Sequence, residues 1–473
     1  MAQSNTPPLS IKTMLPWLVA VAFFMEALDT TILSTAVPMI STAMHVAPLS
    51  MKAVLSSYTL SLAVFIPISS WIADRFGTRR VFASAIGIFT LGSFLCGISN
   101  NIHLLVACRI LQGCGGAMMV PVGRLTLVRA FPKSELVQAM SFVSIPALIG
   151  PMLGPLAGGA IVGFFHWRMI FFVNVPIGLI GLYMVYRHLP DYHEPTNKLD
   201  IIGLILFGSG IALFSYVLEV FGEHTLSIWE ILTLLAISFA LLGGYGFHST
   251  KKKHPLLDLA LLKIRTLRVG VSGNFITRLG AGGMPFLLPL LYQIGLGYTP
   301  IQSGLLIMPQ PLAAIVFKMT LPRILNRLGY RRVLLSNTII IGLVIGLFST
   351  IGIGTPIWLI VLQAALYGFF SSLQYTSMNT IVYADTSPGQ TSMASTIVST
   401  VQQMSLSFGV ATASLVTALF IPDRFHASAT QMIEGLHSAF ILLGILTVFS
   451  AFVFRELKAE DGDDISLHHK ALA

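Results

Sequence analysis

Fourteen long apolar runs constrain this chain more than any other feature. They fall at about 14–38, 54–73, 81–99, 104–129, 137–161, 168–188 and 201–220, and then at about 231–249, 269–293, 301–321, 333–352, 357–384, 392–420 and 437–454. A helix crossing a bilayer needs roughly 20 apolar residues, so each run is about long enough to span. Each is expected to be helical, because lipid offers the backbone no hydrogen-bond partner outside the segment. Of the 473 residues, 55% are hydrophobic and only 10% charged, whereas a soluble domain is about 25% charged. The expectation is an all-α membrane protein of 14 transmembrane helices. Its loops are too short for a large catalytic domain.

A net charge of +9 on a soluble chain would point to nucleic acid. Here the cations sit in short loops, and no nucleic-acid partner is expected. With the N-terminus placed in the cytoplasm, most of the 28 Lys and Arg residues fall on that side, Arg75, Arg79, Arg80, Arg331, Arg332 and Lys470 among them. Lys52, Arg168 and Arg424 fall on the other side. The positive-inside rule then places both termini in the cytoplasm. Met14 to Met25 lacks a cleavage site after it and continues through Glu26 and Asp29 to Pro38, so it reads as a first span rather than a removed signal. Cys96, Cys108 and Cys114 lie inside apolar runs and read as packing residues, with no disulfide or metal framework.

An internal repeat sets the organisation. Asp74-Arg75-Phe76-Gly77-Thr78-Arg79-Arg80 follows the second run, and Asn326-Arg327-Leu328-Gly329-Tyr330-Arg331-Arg332 follows the tenth, 252 residues later. Two six-helix halves with two extra helices between them produce this offset, and duplicated halves are typical of secondary transporters. The expected divisions are a bundle at 1–190, inserted helices at 191–250, a basic linker at 251–268 along the membrane surface, and a second bundle with a short tail at 269–473.

Charges inside the runs carry the functional reading. Glu26 and Asp29 are three residues apart on one helix face. A carboxylate at the bilayer centre costs roughly 2.5–3.5 kcal/mol on insertion scales, so its presence needs a reason. A proton site is one reason and a packing acid paired to a neighbour is the other. Asp29 is expected to be the main coupling carboxylate, Glu26 a second proton or cation site, and Arg109 the partner of Asp29. An arginine keeps its charge at such depth and must face a carboxylate or a polar cavity. Tyr58, Gln112, Arg278, Tyr292, Gln293, Asn379 and Gln403 are the candidate lining of a substrate cavity. Lys318 and Glu219 are further charges near helix ends.

Two segments read as moving parts. Asp74 with Arg75, Arg79 and Arg80, around Gly77, can latch helix ends in one conformation and release them in another. Gly150, Pro151, Gly154, Pro155, Gly158 and Gly159 sit in one run. Glycines at that spacing make a smooth packing face, and prolines bend the helix. The chain holds no His-rich metal cluster, nucleophile elbow or nucleotide loop, so neither an enzyme nor a cofactor is expected.

These segments resemble the major facilitator superfamily, and within it the fourteen-span drug:proton antiporters of the EmrB/QacA type. Leu28-Asp29-Thr30-Thr31-Ile32 with Ala36-Val37-Pro38 resembles the family's first-span signature. Asp74 to Arg80 resembles its loop motif and Arg109 to Ala117 its fourth-span motif. Gly150 to Gly159 resembles the motif associated with antiporters, and Trp167-Arg168 with Phe171, Asn174, Pro176 and Gly178 its sixth-span entry. Ser70 stands where the loop motif usually opens with Gly, and Asn326 where its second copy would carry an acid. The resemblance implies a major facilitator fold in a bacterial inner membrane and alternating access driven by the proton gradient. The implied partners are a small-molecule substrate, protons and the lipid bilayer, with a periplasmic adaptor and an outer-membrane channel in relatives of this type. Lipophilic or cationic drugs are the first implied substrates. A specific metabolite, a siderophore, a metal–citrate chelate or a flipped lipid remain alternatives.

Overall fold

The computed structural model describes residues 9–221, 226–387, 389–421 and 428–463. Arg424 and Lys470 lie outside the described residues. All regular structure among those described is helical. The helices are α1 (Met14–Ala43), α2 (Pro48–Phe76), α3 (Thr78–Ile98), α4 (Ile102–Ala130), α5 (Lys133–Phe164), α6 (Met169–His188) and α7 (Ile201–Val220). They continue as α8 (Ile228–Lys251), α9 (Arg265–Gly295), α10 (Pro300–Val316 with Leu321–Leu328), α11 (Tyr330–Thr350), α12 (Ile357–Ile381), α13 (Thr391–Phe420) and α14 (Ala429–Glu456).

Every one of the fourteen apolar runs falls on one of these segments. Among the described residues, twelve are single helices long and apolar enough to cross a membrane, and α10 is a broken pair that adds a thirteenth. In α5 the apolar stretch found among the described residues is Leu148–Phe164, shorter than the others. Pro146, Pro151 and Pro155 stand inside that helix, each removing one backbone donor.

Helices α1–α6 pack among themselves and α9–α14 do likewise. The two bundles meet along α2 with α13 and α5 with α10, and α7 and α8 lie together with α7 against both α2 and α13. Phe214 of α7 meets Phe408 of α13 edge-on, their ring centroids 5.1 Å apart. The inserted pair therefore buttresses a seam between bundles. The linker keeps Lys252, Lys253, Lys263 and Arg268 exposed but tucks Leu256, Leu257 and Leu261 into the apolar cluster that includes Ile68, Phe207 and Phe408. Three leucines in a basic stretch give it an apolar face to bury.

The apolar clusters show how the halves are joined. At the end away from the termini, one cluster mixes residues of both bundles, such as Ile32, Val37 and Met51 with Met284, Leu306 and Phe440. At the end bearing the termini, Phe23, Phe82 and Leu127 form one cluster and Leu325, Tyr330 and Phe454 another, while a further cluster there joins Ile68 of α2 to Val382 and Ala394 of the second bundle. Hydrogen bonds between bundles follow the same division. Gln293 Nε2 donates to Thr35 O (2.8 Å), Ser407 Oγ to Ser56 O (3.1 Å) and Ser414 Oγ to Leu49 O (3.2 Å). These hydrogen bonds fasten the bundles away from the termini, while toward the other end α2 meets the second bundle through apolar contacts.

The repeat is structural as well as sequential. Gly77 closes α2 and opens α3 at φ +93°, and Gly329 does the same between α10 and α11 at φ +75°. That left-handed geometry favours glycine, which explains the matched positions.

Candidate functional site

Asp29 is the centre of a buried polar network in the first bundle. It is 1% exposed, as is Arg109, and Arg109 Nη1 donates to its Oδ2 at 2.6 Å. The other carboxylate oxygen accepts from Gln112 Nε2 (2.8 Å) and from Asn174 Nδ2 (3.0 Å). Ser93 Oγ accepts from both amides, at 2.7 and 3.2 Å. Arg109 also donates Nη1 to Gln112 Oε1 (2.7 Å) and Nε to Val54 O (3.3 Å), and its guanidinium lies 4.2 Å from the Tyr58 ring centroid. Arg109 and Gln112 share a face of α4 because they are three residues apart. Four other helices, α1, α2, α3 and α6, supply the remaining groups.

Burial of both charges is tolerable only when the remaining donors and acceptors are matched, and here the matching is dense. The expected Asp29–Arg109 pairing is present. Gln112 and Tyr58, candidates for a substrate cavity, are instead fully buried around that pair. Asn174 was named only as part of the sixth-span resemblance, with no role at this pair, and Ser93 not at all. Neither carries a charge, and nothing in a polar residue of an apolar run reveals which acid it will meet.

Glu26 takes a different place. It is half-buried on α1 and interacts electrostatically with Asp29 and with Arg124 of α4. Arg124 is exposed and also within electrostatic reach of Tyr383 in the second bundle. Asn379 and Gln403 are half-buried in that bundle, Asn379 accepting from Asn274 Nδ2 (2.8 Å). Arg278, 5% exposed, donates Nε to Asn274 Oδ1 at 2.6 Å. Tyr292 is fully buried in the shared apolar cluster, and Gln293 spans the bundles through Thr35, so this pair belongs to the fastened end. Lys318 is exposed at the break in α10. Lys52, expected in a loop, is 2% exposed and donates Nζ to Glu219 O (2.7 Å), tying α2 to α7.

The candidate gate assembles differently from its sequence reading. Asp74 forms its ion pair with Arg129 at the end of α4, while Arg75 and Arg80 are exposed. Arg79 N donates to Asp191 Oδ1 (3.0 Å), and its guanidinium is 4.0 Å from the same carboxyl group. Residues after α6 fold over the loop as a strap: Thr78 N donates to Tyr192 O (3.0 Å) and Glu194 N to Asp74 O (3.2 Å). A Cβ on Gly77 would lie 2.3 Å from Asp191 Oδ1, so the strap also needs glycine there.

In α5 the glycines divide by partner. A Cβ on Gly150, Gly154 or Gly158 would meet α1 at Ala27 (2.8 Å), Thr31 (2.0 Å) and Ile32 (2.2 Å). Four-residue spacing keeps them on one face, and that face carries the helix bearing Asp29. Gly159 faces the other bundle instead. Its Cβ would lie 2.3 Å from Pro300 O, and a Cβ on Gly304 would lie 2.4 Å from Pro155 O. Two Pro-x-x-x-Gly stretches, one on α5 and one on α10, seat each glycine on the other's proline carbonyl.

Comparison with known proteins places this helical architecture in a family. The family described as "Major Facilitator Superfamily" matches residues 19–409 and again 270–469. The chain belongs to the major facilitator superfamily. It is a multi-pass membrane transporter, not an enzyme. It is 37% identical over 448 residues to the "Putative multidrug resistance protein MdtD" of Serratia proteamaculans (strain 568), covering 94% of this chain and 93% of the relative. A protein of the same name from Salmonella newport (strain SL254) is 36% identical over 438 residues, covering 93% of each. Among solved structures, the POT family transporter PepTSo superposes with TM-score 0.69 at 15% identity, over 94% of this chain and 99% of that one. A bacterial homologue of the human lysosomal transporter Spinster superposes with TM-score 0.65 at 13% identity, over 95% and 98%. At such identities these neighbours speak for the superfamily fold alone.

Proposed function

We propose that this chain is a proton-coupled efflux antiporter of the fourteen-span type, exporting drugs or similar small molecules across a bacterial inner membrane with both termini in the cytoplasm. The observation that carries the reading is the buried Asp29–Arg109 pair, with four uncharged side chains arranged around it. A proton arriving on Asp29 removes the charge that Arg109, Gln112 and Asn174 are placed to meet, so those groups must find other partners. That change is local, yet α1 rests on the glycine face of α5 and α5 rests on α10, so a shift of α1 reaches the interface between bundles. Alternating access is then a rocking of the bundle at 1–190 against that at 269–473, with 191–250 inserted and 251–268 joining them. Glu26, half-buried one turn from Asp29, serves as the second proton or cation site. No cofactor is invoked, because the proton gradient supplies the energy. The names of the relatives support drug efflux as the direction and cargo.

The test uses the purified protein in liposomes with an imposed pH gradient and a pH-sensitive dye. Adding the lipophilic cation tetraphenylphosphonium should release protons from the wild type, and Asp29→Asn should lower that release at least tenfold. Release that persists in Asp29→Asn would transfer the coupling role to Glu26. A wild type without any cation-driven release would argue against proton antiport of lipophilic cations.

A further inference from the structure

The second bundle holds a buried cation that no acid meets. Arg278 is 5% exposed, and among the described residues no carboxylate lies within ion-pair distance of it. Its single hydrogen bond to a described residue runs from Nε to Asn274 Oδ1. A guanidinium has five N–H donors and stays charged in a protein. The two terminal nitrogens, the edge of the fork that fits a carboxylate, are the part left over.

The surroundings fix this group rather than neutralise it. Tyr375 of α12 lies with its ring centroid 3.8 Å from the guanidinium carbon, and Tyr367 of the same helix is within electrostatic reach. Asn274 holds Nε from one side and is itself tied to Asn379 of α12 at 2.8 Å. On α9, Gly273 and Gly280 face α14 while Phe275 and Leu279 pack with Phe408 of α13. Arg278 therefore projects from the opposite side to α14, between α12 and α13. Elsewhere on α12, Gln310 of α10 packs its carbonyl on Gly368, and its Nε2 is buried without a partner among the described residues.

The repeat sharpens the contrast. The offset of 252 residues between the two loops sets Arg278 at the place of Glu26 and Ala281 at the place of Asp29. In the first bundle that second position is an acid held by Arg109. In the second, Tyr367 Oη donates to the bare carbonyl of Ala281 (3.0 Å). The first half places two carboxylates at these positions, and the second places a cation and no carboxylate.

We propose that Arg278 receives a carboxylate of the transported molecule, gripping it through the free edge of the guanidinium while Tyr375 and Tyr367 lie against an attached ring. The substrate class is accordingly an aromatic or otherwise amphiphilic organic acid, including zwitterions whose cationic end reaches Glu26. This rests on reading the chain as a small-molecule exporter, and narrows what it exports.

The experiment is isothermal titration of the purified full-length protein in detergent with salicylate and with salicylamide, its uncharged counterpart. The wild type should bind salicylate at least tenfold more tightly than salicylamide, and Arg278→Gln should reduce the difference to below twofold. Asn274→Asp should do the same by placing an internal acid against Arg278, which keeps the test usable where the arginine variant fails to fold. Monodisperse elution and an unshifted melting midpoint identify folded variants. A wild type with no preference for the carboxylate overturns the proposal, as does a preference that survives in Arg278→Gln or Asn274→Asp. Proton release with tetraphenylphosphonium but no salicylate preference rejects this site and leaves the exporter. The reverse result keeps the site and rejects proton antiport of cations.

Discussion

At the scale of single residues, the pair Asp29–Arg109 is both a stability problem and a functional opportunity. Removing one partner from a buried ion pair costs about 3–5 kcal/mol, because the other is left uncompensated, whereas removing both costs far less. Arg109→Gln should therefore lower the unfolding midpoint of the detergent-solubilised protein sharply, and the double variant Asp29→Asn with Arg109→Gln should recover part of the loss. Equal or additive losses would show that the two side chains do not depend on each other. The pairing was legible in the sequence, since an acid and an arginine in neighbouring apolar runs have few other ways to be accommodated. Asn174 and Ser93 were not, because uncharged polar groups satisfy themselves on their own helix about as readily as on another. Arg129 was hidden differently. It reads as one more cation in a basic loop, and only the ends of α2 and α4 lying side by side give it Asp74.

At the scale of elements, the crossing of α5 with α10 is the sharpest constraint. Gly304→Val places methyl groups where Pro155 O already leaves only 2.4 Å for a Cβ, so the fastened end cannot close. Transport should fall at least tenfold, and a single cysteine placed at the exposed Phe164 should react faster with a water-soluble maleimide. Unchanged labelling would mean that α5 and α10 do not form the gate. A second element-scale device lies outside the membrane. Asp200 caps α7 by accepting from Gly203 N (3.1 Å), and it also accepts from Leu256 N (3.2 Å) and meets His248 Nε2 at 2.7 Å. Burial pushes its carboxyl up, but those hydrogen bonds outweigh burial and hold it below the ordinary carboxylate value. A depressed folded-state pKa contributes stability above the unfolded value, and that contribution is lost as pH falls through the folded one. Linker residues 252–258 should resist proteolysis at neutral and mildly acid pH and become cleavable only below the usual carboxylate range. In Asp200→Asn they should be cleaved at every pH.

For the whole molecule, the division of the apolar clusters predicts the direction of motion. The bundles share one large core at the end away from the termini, while at the other end two separate cores flank a smaller shared cluster around Ile68, Phe207 and Val382. Spin labels at Gln138 on α5 and Arg323 on α10 should move closer when the transporter turns over, while labels at Phe164 and Leu305 should separate. Distances by pulsed electron resonance that leave both pairs unchanged under a pH gradient would rule out rocking. The runs of apolar residues were enough to establish an all-helical membrane chain, because a bilayer permits a spanning segment little else. The repeated loop was enough to establish two related halves, since each copy needs glycine at a left-handed turn. What only the tertiary structure decided is which polar groups face one another. A helix face is readable from a period of 3.6 residues, but its partner helix is not, because lipid and protein interior are equally apolar and the same face suits either. So the acids of α1 and Arg278 of α9 could be picked out as candidates, while the surroundings of Arg278, the Pro-x-x-x-Gly crossing and the burial of the linker leucines emerged only when the helices were set beside each other.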